Sequence, residues 1–261
     1  VVAREMRETG NWVLPRLDGA VYSEKPPLFF WLVNVATFFG GGDREMTNRL
    51  PSALAGLMCL VVTFLLASKL FTPLSGFISG LVLATCFFFP QISRWMMLDS
   101  LLCLFFLMAV YYLHAGMGAP AGQRLNFLLA GVFMGLGTLT KGPVAFLPIP
   151  VFLLYALILG EFRKVWNRNL LYGVLLSVGL VLAWFVPSVL MAGGDYSMKT
   201  LSRQIVGRFV GGWSHPEPFY FYFVRFPMGF LPWFFFLPSA LGDGFSSAAK
   251  GKRKEFLLLF V

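Results

Sequence analysis

The chain has 261 residues, of which 57% are hydrophobic, 13% are charged and 30 are phenylalanine, and its formal net charge is +9. A water-soluble domain cannot hide that much apolar surface, whereas repeated apolar runs of about 20 residues are what a bilayer core requires. Composition thus excludes a soluble enzyme and points to an all-α fold: a polytopic transmembrane helical bundle with juxtamembrane helices in its first outward loop.

The chain opens on "VVAREMRETG" and ends on "KEFLLLFV", which reads as the start of another span, so the sequence is taken as an internal fragment of a longer polytopic protein. Residues 1–45 form the first unit, an outward (periplasmic) loop that is long, charged and aromatic. Within it, "YSEKPPLFFW" (22–31) sets an acid, a base and two prolines directly before an apolar run. The stretch Pro27–Phe39 is too short to cross a bilayer and fits a juxtamembrane or re-entrant helix. Residues 46–261 form the bundle, truncated at both ends and carrying an outward loop at 193–219. Its expected spans are Met46–Leu70, Pro73–Pro90, Leu98–Met117, Asn126–Leu139, Val144–Leu159, Leu170–Met191 and Phe221–Leu241. Cys59, Cys86 and Cys103 lie inside these runs, which suits small core residues and not a disulfide framework or a zinc site.

Alternate short connections hold Lys69, Arg124, Arg163, Lys164, Arg168, Lys250, Lys252, Arg253 and Lys254 against only Glu161, Asp243 and Glu255. Basic loops stay cytoplasmic, so residues 1–45, Gln91–Asp99, Thr140–Pro143 and Gly193–Phe219 face outward. The net positive charge is therefore a topology signal, and a nucleic-acid partner is excluded. Long loops in compact proteins tend to carry function, and the outward ones are the long ones.

Four constellations on the outward side could carry chemistry. Glu24 and Lys25 sit where a proline-started helix meets the membrane boundary. They read either as an interfacial anchor or as a phosphate site in which Lys25 meets an anionic headgroup and Glu24 holds a cation. Asp99 opens the run after "SRWMM"; it reads as a helix N-terminal carboxylate or as a functional acid at membrane depth. Lys141, in "GTLTKGPVAFLP", falls in a tight turn on the same face, as a loop lysine or a site cation. His215, in "GGWSHPEPFYFYF", is a loop histidine flanked by Trp213 and Pro216, with Arg203 and Arg208 upstream, while His114 falls inside a span. No Walker loop, dinucleotide fingerprint, metallohydrolase helix or nucleophile elbow is present.

In order, "AREMRETGNWVLPRLDGAVYSEKPPLFFWL", "NRLPSALAGL", "LTKGPVAFLP" and "HPEPFYFYF…GFLPW" resemble the aminoarabinose-transferase and protein O-mannosyltransferase branch of membrane glycosyltransferases with the glycosyltransferase C fold. The resemblance implies transfer of a sugar from a polyprenyl (undecaprenyl) phosphate donor to a lipid A, protein or glycan acceptor at the periplasmic face of the bacterial inner membrane. It implies that Lys25 contacts the donor phosphate and that Glu24 and His215 fall at positions for a divalent metal, zinc or magnesium. Asp99 falls at an acidic catalytic position, and Tyr22 and Lys141 line the substrate cavity. It also sets an Asp-Glu pair, with the principal catalytic aspartate, about half a dozen residues upstream of Val1. Two other readings are a non-catalytic polyprenyl-lipid-binding relative and a transporter or flippase. The latter is disfavoured by charges confined to one face and by the lack of an internal repeat.

Overall fold

The structure, a computed structural model, describes residues 1–118, 122–192, 218 and 220–245. Helix α1 (Val2–Thr9) opens the chain and ends at Gly10, whose φ of 67° is left-handed. It buries Val2, Ala3 and Met6 on one face and turns Arg4 and Glu8 to the other. A two-stranded hairpin follows, β1 (Arg16–Leu17) and β2 (Ala20–Val21), with Arg16 opposite Val21 and Leu17 opposite Ala20. Its two-residue turn is Asp18-Gly19, with φ 52° and 76°, the positive pair that an Asp-Gly hairpin turn adopts. Helix α2 (Leu28–Phe39) starts after Pro27 and buries Leu28, Phe29, Phe30 and Val33, while Phe38 and Phe39 stay exposed.

The bundle comprises α3 (Glu45–Leu70), α4 (Pro73–Thr85), α5 (Phe88–Arg94), α6 (Leu98–Gly118) and α7 (Gln123–Lys141). A 3-10 turn (Pro143–Phe146) then leads into α8 (Pro148–Ile158), α9 (Phe162–Val165) and α10 (Arg168–Ala192). Helix α11 (Phe221–Gly229), a second 3-10 turn (Trp233–Phe236) and α12 (Leu237–Phe245) complete the described residues. Among these, α3, α6 and α10 are each long and apolar enough to cross a membrane, and five spans result if each of two bent pairs counts as one. The side chains of α3 and α10 that face away from the bundle are large and apolar, Leu54, Leu57, Leu171 and Leu175 among them, as lipid contact requires.

Four expected spans differ from those read in the sequence. Pro73–Pro90 is not one helix: α4 and α5 meet at 70° around Cys86–Phe87. Pro90 has no N–H to give the Cys86 carbonyl and its ring crowds that position, so the helix breaks there. The run Phe221–Leu241 is broken by 102° between Gly229, the last residue of α11, and Trp233, at a joint that carries Pro232. Val144–Leu159 is a 3-10 turn followed by an 11-residue helix. The span Asn126–Leu139 lengthens to the 19 residues of α7, and Lys141 is its last helical residue, not part of a turn. Gly142, at φ 101°, is what stops the helix.

Helix α7 is the long helix most covered by its neighbours. It lies between α6 and α10 and buries Phe127, Ala130, Gly131, Met134, Gly135, Gly137, Leu139 and Thr140. A Cβ on Gly131 would collide with the Gly173 carbonyl, and one on Gly173 with the Phe127 carbonyl, so α7 and α10 cross backbone against backbone. Lipid is as apolar as a leucine side chain, and close van der Waals approach at small residues is what joins helices there. Two apolar clusters fill the interior. One gathers Leu113, Met117, Phe127, Phe152, Tyr155 and Val165 at the end where α6 turns into α7. The other joins α1 and α2 to the opposite end through Met6, Phe29, Val33, Leu101, Leu139 and Trp184.

Candidate functional site

The end of the bundle that carries residues 1–44 is where the polar side chains converge. Its first component is the connection Tyr22–Lys25. The segment leading into the hairpin before it is anchored by two helices: the Trp31 indole N–H of α2 donates to the Trp12 carbonyl (2.7 Å) and that of Trp184 in α10 donates to the Val13 carbonyl (2.8 Å). Tyr22 donates its backbone N–H to the Pro15 carbonyl (2.9 Å), and its ring meets Phe30 edge-on at 6.0 Å. Ser23, Pro26 and Pro27 are buried, while Glu24 is exposed and Lys25 is partly so. Burial raises the Tyr22 phenol above its ordinary pKa, and the negative charge of Glu24 adds to the rise. The phenol is therefore a neutral hydrogen-bond donor at physiological pH.

The second component is an ion pair between Asp99, in the first turn of α6, and Lys141, the last residue of α7, in which Lys141 Nζ donates to Asp99 Oδ1. The side chains keep 46% and 31% of their surface, so the pair faces an open space. Its base is held in place by Ser52 of α3, whose Oγ donates to the Met97 carbonyl (2.9 Å) and accepts the Met97 N–H (3.2 Å). The two components border one apolar cluster: Tyr22 and Leu98 pack against the group that contains Leu101 and Leu139.

Of the residues singled out in the sequence, Asp99 and Lys141 are joined directly, and Tyr22 and Glu24 lie close enough to interact electrostatically. His215, with Arg203, Arg208 and Trp213, lies outside the described residues. His114 is half-buried within α6. Among the described residues no three of His, Cys, Asp and Glu come together as a metal cage.

The sequence reading missed a polar network that fixes α1. Arg7 donates to Asn34 Oδ1 (2.5 Å) and to Asp43 Oδ2 (2.8 Å), Arg4 donates to the same Asp43 oxygen (3.0 Å), and Asn48 donates to Asp43 Oδ1 (2.7 Å). These bonds, first the one from Asn48 and then the one from Arg4, hold the Asp43 carboxyl below its usual range. The network borders a cavity of about 540 Å³ that reaches Trp95 and Met97, two residues before Asp99. The signal was available: Asn34 is a lone amide in the middle of the apolar α2.

Residues 24–190 match the family described as dolichyl-phosphate-mannose-protein mannosyltransferase. The chain belongs to that family. Among curated family relatives, the undecaprenyl phosphate-alpha-4-amino-4-deoxy-L-arabinose arabinosyl transferase 2 of Proteus mirabilis is 29% identical over 100% of this chain and 47% of its own length. The corresponding transferase of Edwardsiella ictaluri is 28% identical over 93% of this chain and 44% of its own. The chain thus spans about half the length of the curated relatives it matches. In fold it is similar to the crystal structure of ArnT from Cupriavidus metallidurans bound to undecaprenyl phosphate. The TM-score there is 0.85 at 23% identity, over 98% of this chain and 47% of that one. The apo form of the same protein gives 0.82. The predominantly helical, multi-pass membrane architecture is the one these structures share.

Proposed function

We propose that this chain is part of a membrane glycosyltransferase that moves a sugar from a polyprenyl-phosphate donor to an acceptor at the periplasmic face of the bacterial inner membrane. An aminopentose on undecaprenyl phosphate is the donor that the names of the relatives favour. The acceptor is lipid A, a protein or another glycan. One observation supports the reading above others: the Asp99–Lys141 pair and the Tyr22–Lys25 segment border the same apolar cluster at one end of a lipid-exposed bundle. A lipid phosphate arrives at such a boundary with its chain in the apolar phase and its charge among the polar groups.

Transfer breaks the bond from the anomeric carbon to a phosphate oxygen and forms one to the acceptor nucleophile. The leaving lipid phosphate keeps the bonding electron pair, so it needs a cation more than a proton. Lys25 supplies the cation and the Tyr22 phenol donates a hydrogen bond. Asp99 gives Oδ1 to Lys141, which fixes the carboxylate, and its Oδ2 accepts a hydroxyl of the sugar or acceptor, or the proton of the attacking hydroxyl. Glu24 would share a divalent metal with His215 and the donor phosphate. One carboxylate with phosphate oxygens suits a hard ion of the magnesium type, whereas a closed zinc site needs four protein ligands. When bound, such an ion would supply charge neutralisation at the leaving group, in addition to Lys25.

The test is Lys25→Ala in the full-length protein, with radiolabelled lipid-linked sugar. A fall of about 100-fold in transfer, with unchanged folding, is the expected result. Wild-type turnover would remove Lys25 from the chemistry.

A further inference from the structure

We infer that Glu5 of α1 is a positioning residue for the lipid-phosphate segment Tyr22–Lys25, acting through the backbone of the Asp18-Gly19 turn. The carboxylate of Glu5 is bidentate on two successive amides: Oε1 accepts the Asp18 N–H at 2.7 Å and Oε2 the Gly19 N–H at 3.2 Å. On the far side of the turn Arg16 donates to the Gly19 carbonyl at 2.9 Å. A hairpin with two residues per strand cannot hold its own place, since even longer two-stranded hairpins are marginal alone. Its tip is placed by Glu5, and the segment that leads into it by the two tryptophan indoles.

Strand β2 runs from this turn into Tyr22, and Lys25 follows three residues later. Beyond Lys25 the buried Pro26 and Pro27 lead straight into α2, whose register the core fixes. A displacement at the turn is therefore passed along β2 into Tyr22–Lys25, the stretch between the hairpin and α2. The helix that carries Glu5 is itself held: two residues on, Arg7 reaches in the other direction to Asn34 and Asp43. Helix α1 is a strut between the hairpin and the α2–α3 corner, and its sequence "AREMRE" supplies both attachments from one helical turn. In this arrangement Glu5 sets where the Lys25 ammonium lies without contacting substrate.

The role in catalysis rests on the transferase reading above, so the test has two arms, both with the full-length protein in lipid nanodiscs. Glu5→Gln keeps the side-chain volume but turns one acceptor into an amide NH2 that faces a backbone N–H. The first arm measures Lys25 modification by an amine-reactive reagent, read by mass spectrometry. The expected result is a change in rate of about threefold or more, and none for Glu8→Gln on the exposed face of the same helix. An unchanged rate at Lys25 overturns the inference, whatever happens to activity. The second arm measures transfer: the donor KM rises about tenfold while the acceptor KM holds, and in a Lys25→Ala background Glu5→Gln adds no further loss. Additive losses, or equal changes in both KM values, overturn the positioning role, because a general loss of structure would produce them. If the wild-type protein transfers no sugar, the transferase reading fails and the labelling arm still decides the role of Glu5. Should Glu5→Gln not fold, Glu5→Asp, which retracts the carboxylate by one methylene, serves both arms.

Discussion

The two ends of the bundle are built differently. Where α6 turns into α7, the interior is shape: Leu113, Phe127, Phe152 and Val165 are fully enclosed, and α7 meets α10 backbone to backbone at Gly131 and Gly173. At the opposite end apolar packing continues, but position there is set by hydrogen bonds between single side chains and backbone groups, with Trp31, Ser52 and Trp184 donating and Glu5 accepting. Packing of the first kind responds to small changes of volume and gives rigidity. Hydrogen bonds of the second kind fix a loop in one place while leaving its tip open to a ligand. One end secures the fold, and the other is the end at which the proposed site lies.

That contrast breaks most sharply under substitution at the packed end. Phe127→Ala removes a wholly buried ring and should cost about 3–5 kcal/mol in unfolding measurements in detergent. Transfer per folded molecule should be unchanged, and a selective loss of activity would show that the two ends are coupled. Gly173→Ala forces α7 away from α10 and should cost about 1–3 kcal/mol, seen as a lower midpoint and a poorer elution profile. At the site end the sign reverses. Lys141→Met should lower transfer by about ten- to a hundredfold, because Asp99 loses the group that orients it. It should shift stability by less than about 1 kcal/mol, since the pair is partly exposed. A large drop in melting temperature with normal turnover would make the pair a structural tie.

The smallest effect concerns acid. Asp43 has its carboxyl lowered in the folded state, so the stability it contributes is complete above the ordinary carboxylate value and is lost as pH falls through the lowered one. Melting curves from pH 7 downward should show this loss for the wild type, and Asp43→Asn should flatten the slope. An identical slope in both would place the acid sensitivity elsewhere.

Much of this was readable in the residues, for identifiable reasons. The Pro26-Pro27 pair announced the start of α2 because proline fits the first helical positions, and Asp99 was placed in a first turn by the apolar run behind it. Alternation of spans put Lys141 on the face of Asp99, but not in contact with it: 42 residues separate them, and only the packing of α6 against α7 fixes the register. The break at Cys86–Phe87 was hidden by hydropathy, which does not register that Pro90 removes one backbone donor. Glu5, Arg7 and Asp43 looked like ordinary loop charges. Their importance comes from partners up to 39 residues away, which no local pattern encodes.

The tryptophan bonds have a mechanical consequence. Trp12 and Val13 are neighbours in sequence, yet their carbonyls are gripped by α2 and by α10, helices whose indoles lie 153 positions apart (184 − 31). Two successive peptide units thus tie α2 to α10: the helices cannot slide past each other at this end without breaking one of the two bonds. A relative shift of the two helices at this end would disturb these bonds, and the emission of the two indoles would report it.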